Sequence, residues 1–215
     1  MSPLRPVSIF ITPLAFQKLK LYIEICPAEI SGLGVVELSG DQFIVRDVFI
    51  LPQRVTASDT ELKPEHLCDF LSNYIAQGKD PASLRVWWHS HGDSDLHWSS
   101  TDNDTIEAFP GDYIISIVGN KKGEFLCRLD VSSPSRVEFD GFTLVPLEEP
   151  KGGGTQDIEA LRQTIQEEIG EMVKQVLPFA LGPEMHEGVF GFPKEYQEEY
   201  LVDLDFNSSK PQKDL

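Results

Sequence analysis

The stretch Leu84-Arg85-Val86-Trp87-Trp88-His89-Ser90-His91 constrains this chain more than any other. An apolar, strand-forming run ends in two imidazoles one residue apart. Side chains at i and i+2 of a strand share a face, so His89 and His91, at the fraying end, point at one common place. Ser99 and Asp102 follow, with Asp102 expected in the first turn of a short helix over 101–108. Two neutral ring nitrogens plus one carboxylate make three protein ligands. They leave a fourth tetrahedral position for water, as in catalytic rather than closed structural zinc sites. Taken alone, a His-x-His pair is a weak signal, equally readable as two polar residues in a loop.

The 215 residues, 40% of them hydrophobic, suffice for one domain of ordinary size plus an extension. The net charge of −17 argues against a nucleic-acid partner, because phosphate contacts need clustered Lys and Arg. It suits a basic protein partner or simple solubility. No apolar run approaches the roughly 20 residues of a membrane span, and the N-terminus lacks a signal peptide's basic head and apolar middle. Cys26, Cys68 and Cys127 are scattered and odd in number, which fits buried thiols in a reducing cytoplasm. A cytoplasmic location without membrane attachment is the expectation.

Residues 6–11 read as a first strand, and Thr12-Pro13 as a helix start closed by Pro27. Phe16 and Leu21 fall off that helix's apolar stripe, so it is expected to be covered on more than one side. Glu29 follows on a short connection; standing alone it reads as a solvated turn residue. Gly32 and Gly34 permit close backbone approach, and strands are expected over 33–38 and 43–51 about a turn at 39–42. Residues 52–63 are polar without a period. A helix over 64–76 is expected to bury Leu67, Phe70, Leu71, Tyr74 and Ile75, with His66 at the surface. After the strand 84–89 and the helix 101–108, strands are expected over 113–118, 125–131 and 142–147, the first two a hairpin about Asn120-Lys121-Lys122-Gly123. The fold class is therefore α/β in the α+β sense, a central sheet flanked by helices.

Residues 1–150 form the expected domain, and 151–215 a linker, a helix and an acidic tail. Lys151 to Thr155 is the flexible linker. A helix over 157–177 carries the stripe Ile158, Leu161, Ile165, Ile169, Met172, Val173 and Val176, to be buried on the domain, on a second copy or on a partner. His186-Glu187 lacks the second histidine of a zincin motif, and 207–215 is expected to be disordered.

The longer pattern, His89-x-His91, seven residues, Ser99, two residues, Asp102, resembles the signature of the JAMM (MPN+) metalloprotease family. That family also places a glutamate at the start of a strand just after the first helix, where Glu29 stands. The resemblance covers about residues 5–147 and not the tail. It implies a mostly antiparallel, cytidine-deaminase-like MPN sheet, and one Zn2+ per chain on His89, His91 and Asp102. Zinc lowers the pKa of its bound water to about 7 in well-studied enzymes. Glu29 would take that water's proton and pass it to the leaving amine. Ser99 would donate a hydrogen bond to the oxyanion, although a serine there also reads as the N-cap of the next helix. His97 reads as a rim residue, and Ser90 as facing the opposite side of the strand.

The activity so implied is hydrolysis after the C-terminal glycine of ubiquitin or a ubiquitin-like protein, small sulfur carriers included. The extended tail of that partner would lie beside an exposed strand by β-addition. The chain departs from the family's deubiquitinases in having Gly92 where proline is common, and in lacking a long insertion between Asp102 and Tyr113. Linkage-selective cleavage of ubiquitin chains is therefore not implied. The alternative is a non-catalytic scaffold of the same fold, assembling a complex or a homo-oligomer through the helix 157–177. Scaffolds of the family usually lack the metal ligands, all of which stand here with Glu29. Nucleotide deamination needs a Pro-Cys-x-x-Cys element, and none exists.

Overall fold

The computed structural model describes residues 8–55, 60–148, 157–177 and 200–203. Its elements run β1 (Ile9–Ile11), α1 (Pro13–Ile25), β2 (Ser31–Ser39), β3 (Gln42–Ile50), β4 (Gln53–Val55), β5 (Thr60–Glu61), α2 (Pro64–Ala76), β6 (Leu84–Ser90), α3 (Ser100–Ala108), β7 (Tyr113–Gly119), β8 (Phe125–Val131), β9 (Val137–Phe142), β10 (Leu144–Pro146), α4 (Ile158–Met172), β11 (Val173–Leu177) and β12 (Tyr200–Asp203). The fold is mixed α/β, with a large, mostly antiparallel sheet in the order β10-β1-β3-β2-β6-β7-β8-β9. Within this sheet, parallel pairing is confined to β10–β1, β1–β3 and β6–β7. A second sheet runs β12-β11-β4-β5. No helix among the described residues is long and apolar enough to cross a membrane.

Local chemistry sets the element ends. Thr12 caps α1 by accepting the Ala15 N–H, and Pro13 follows at the first helical position. The β2–β3 and β7–β8 hairpins form about the turns expected for them. Strand β6 is buried along nearly its whole length because helices cover both sheet faces, so it reads as an apolar run rather than an alternation. On one face Val86 and Trp88 join the main core with α1 and α4. On the other, Trp87 packs with Ile106 of α3, while Leu33, Leu51 and Leu84 pack with Tyr74 of α2. Trp88 stacks on Tyr22 of α1 at 5.4 Å, and its indole N–H is shared between the carbonyls of Leu33 and Phe49. The Tyr22 hydroxyl in turn donates to Glu168 of α4. Helix α1 is thus covered on two sides, which accounts for the burial of Leu21 off its main stripe.

The helix expected over 157–177 ends at Met172. Residues from Val173 onward form β11, parallel to β4 and antiparallel to β12. Val173 to Gln175 find the open edge of β4 and Val176 pairs with Leu201 of β12, and strand pairing overrides a weak helical preference. Ile165, Ile169 and Val173 are fully buried in the main core, so the stripe packs within the chain, while Ile158 is exposed. Ile75, expected inside, is 55% exposed, and among the described residues of α2 only Tyr74 is fully buried. The short strands β4 and β5 lie in the stretch that shows no period. The strand expected over 142–147 divides into β9 and β10, although Val137-Glu138-Phe139-Asp140 carries the alternation that marks β9. The start of the first expected strand at residues 6 and 7, the linker 151–155, His186-Glu187 and the tail 207–215 lie outside the described residues.

Because Ile165 has no exposed surface and belongs to the main core, Ile165→Ala is expected to lower stability by about 3 kcal/mol. The loss should appear in a single cooperative urea transition. A second, early transition would instead mark α4 as a separately melting arm.

Candidate metal centre

Strands β6 and β7 are parallel, so the chain between them must cross over, and α3 is that crossover. The loop 91–99 therefore leaves the carboxyl end of β6 and turns directly into the N-terminus of α3. Asp102 is the third residue of α3 and half of a capping box. The Ser99 Oγ accepts the Asp102 N–H at 3.1 Å, and the Asp102 Oδ2 accepts the Ser99 N–H at 2.7 Å. The capping places the carboxylate over the β6 terminus, with Oδ1 turned 3.3 Å from His89 Nε2.

The two histidines arrive by strand alternation. The Ser90 N–H donates to the Ile30 carbonyl and the Ser90 Oγ accepts the Ile30 N–H. This exchange holds Ser90 toward the α1 side, as expected, and turns His89 and His91 to the α3 side. The His91 N–H continues the ladder onto the Gly119 carbonyl. His89 Nε2 and His91 Nε2 are 3.1 Å apart, and His91 Nε2 is 3.9 Å from Asp102 Oδ2. All three residues are buried, and they form a group that could hold a metal ion. His91 Nδ1 lies 3.3 Å from the Asp95 carbonyl. That contact assigns the proton to Nδ1 and leaves the Nε2 lone pair for a ligand. Trp87 stacks on His89 at 4.4 Å and fixes its ring.

Ser31 is the cross-strand partner of His89, and the Ile30–Ser90 exchange extends the pairing one residue further. Glu29 is the next residue back along the chain; Ile30 is buried in the α1-side core, and Glu29 is half-buried. Its carbonyl accepts the Thr60 hydroxyl. Buried Gln53 brackets Ser31, accepting its N–H and donating to its carbonyl. His97 is exposed at the rim, edge-on to His91, and His66 is half-buried with Nδ1 against the Pro52 carbonyl. Gly92 has φ +52°, a backbone that proline cannot adopt.

The spacing of His89, His91 and Asp102 is legible in the linear chain, but Gln53, Asn103 and Arg128 are ordinary polar residues there. Only their partners, and the burial of Gln53 and Arg128, distinguish them.

Burial drives the His89 pKa below its ordinary value, against the pull of Asp102. Burial would raise the Asp102 pKa, but the His89 contact and the hydrogen bonds from Ser99 outweigh it and hold the carboxyl well below the usual range. A neutral His89 beside an ionised carboxylate is the protonation state metal ligation requires. Burial pushes the Cys26 thiol up to about 11 and the Cys127 thiol up to about 12. Neither is poised as a nucleophile.

No protein-family model matches the chain, and no curated protein matches it. Among solved structures, the solution structure of a protein from Desulfitobacterium hafniense is similar at 16% identity and a TM-score of 0.48, over 69% of this chain and 99% of that one.

Iodoacetamide at pH 8 should modify the native protein at Cys68 alone, since only that thiol is exposed. Peptide mass spectrometry reads the outcome, and rapid labelling of Cys26 or Cys127 would contradict the burial assigned to them.

Proposed function

We propose that this protein is a zinc-dependent peptidase or isopeptidase, hydrolysing the bond after the C-terminal glycine of ubiquitin or a ubiquitin-like protein. The observation that carries the reading is the convergence of His89, His91 and Asp102. The donor set fits zinc. Bonds of about 2.0–2.1 Å in a tetrahedron place ligand atoms about 3.3 Å apart, and the separations here are 3.1, 3.3 and 3.9 Å. Three protein ligands leave a coordination position open, as catalytic sites require.

When bound, zinc would supply a Lewis acid for the scissile carbonyl and activate a coordinated water. The remaining work belongs to the chain. Glu29, half-buried just before the strand that pairs with β6, would accept the nucleophile's proton and return it to the leaving amine. The Ser99 hydroxyl, held beside Asp102 by the capping box, is the donor for the carbonyl oxygen as it gains charge. Trp98 closes one side of the site and joins it to the sheet edge, its indole N–H donating to Asp140 of β9. Strand β9 ends the large sheet among the described residues and exposes Val137 and Phe139. An extended substrate tail would add there as a further strand. The surplus of negative charge favours a basic tail.

Purified protein should contain one zinc per chain by elemental analysis and cleave a ubiquitin C-terminal amide. Glu29→Gln is expected to keep its zinc and lose about 10²–10⁴-fold in kcat, whereas His89→Ala should lose the metal itself. Two imidazoles and a carboxylate also serve iron(II) oxygenases, so stoichiometric iron in place of zinc would overturn the peptidase reading. A metal-free, inert protein would favour the scaffold.

A further inference from the structure

Arg128 lies on β8 beneath α3 and is only 3% exposed. Its Nε donates to Asp130 Oδ2 at 2.8 Å, which neutralises the buried charge, and the Trp98 ring lies 5.1 Å from its Cζ. Its Nη1 donates to Asn103 Oδ1 at 2.7 Å. Asn103 then passes the contact along, its Nδ2 donating to the Ser99 carbonyl at 2.8 Å. The Ser99 N–H holds Asp102 Oδ2 at 2.7 Å. Three hydrogen bonds thus run from a guanidinium anchored in the sheet to the carboxylate of the metal-binding group.

A second observation points to the same residue. Among the described residues, three buried side-chain polar atoms lack a hydrogen-bond partner: His89 Nδ1, Ser116 Oγ and Arg128 Nη2. They are not scattered. Ser116 is the cross-strand partner of Trp87 on one side and of Arg128 on the other, and His89 follows Trp87 on the same face. The three residues therefore share the sheet face that α3 covers, Ser116 between the strands of the other two. Buried polar groups left unpaired are costly, and a typical buried water satisfies about three of them at once. His89 Nδ1–H and Arg128 Nη2–H donate, and the Ser116 hydroxyl does either. Histidines that ligate metals through one nitrogen nearly always anchor the other. His91 has such an anchor in the Asp95 carbonyl, and His89 has no protein atom in that role.

We propose that Arg128 is a positioning residue of the metal centre, orienting Asp102 through Asn103 and Ser99, and His89 through buried water shared with Ser116. It grips the two ligand-bearing elements, β6 and α3, from a third. The inference rests on the metal-binding reading above. A buried arginine that served packing alone could be replaced by an apolar residue at little loss, whereas this one spends its fork on two separate partners.

The test is zinc affinity, measured by competition with a chromophoric chelator on the full chain, alongside the melting temperature in excess EDTA. Arg128→Lys keeps the charge but loses the fork, and is expected to weaken zinc binding about 10–100-fold. Asn103→Ala and Ser116→Ala should weaken it in the same range with little change in the metal-free melting temperature. The Arg128→Lys/Asn103→Ala pair should lose no more than the worse single variant, because both cut one chain of contacts. Should Arg128→Lys fail to fold, the other two variants decide the matter. Variants that bind zinc as tightly as wild type would reduce Arg128 to a structural role and overturn this proposal alone. A wild-type chain that binds no zinc would overturn the metal reading and this proposal with it.

Discussion

The two hydrogen bonds exchanged between Ser90 and Ile30 are the constraint on which the rest of the site depends. They fix the register of β2 against β6 at the point where both strands end. Side chains alternate with period two, so a slip of one residue would turn His89 and His91 into the apolar core behind the sheet. One pairing decision therefore turns both imidazoles to one face of the sheet, at the end where Asp102 meets them.

The third ligand comes from a different kind of constraint. Parallel neighbours cannot be joined by a hairpin, so the β6–β7 connection must carry a helix, and the helix must begin above the end of β6. Its uncompensated N–H groups favour a carboxylate in the first turn. Asp102 meets that need with one oxygen and turns the other toward His89. Capping thus leaves one carboxylate oxygen of Asp102 free to face the histidines.

Behind the sheet, the chain's C-terminal part supports the site strand. Glu168 of α4 accepts the Tyr22 hydroxyl, Tyr22 stacks on Trp88, and Trp88 immediately precedes His89. Strand β11 extends this support by pairing with β4, whose Gln53 brackets Ser31. The tail-proximal helix is thus part of the platform on which the ligands rest. Such backing matters because a ligand strand free to twist would spread donors that need to converge within a few tenths of an ångström.

How much of this was readable in the linear chain depends on the range of the interaction. The Thr12 cap, the turn-forming residues of both hairpins and the alternation that puts His89 and His91 on one face are local, and each was legible from neighbours a few residues away. So was the His-x-His, Ser, Asp spacing, because ligands on a strand end and the following helix turn must keep fixed offsets. The sequence alone did not show where α4 would stop. Residues 173–177 suit helix and strand comparably, and only the open edge of β4, more than a hundred residues away in the chain, decides between them. Nor did it show that Ile75 would face water, that Arg128 and Gln53 would be buried, or that Asn103 would link Arg128 to Ser99. Local patterns are set by backbone geometry, which every residue carries with it. Burial and cross-strand partnership are set by which distant segments pack together, and those exist only once the chain has folded.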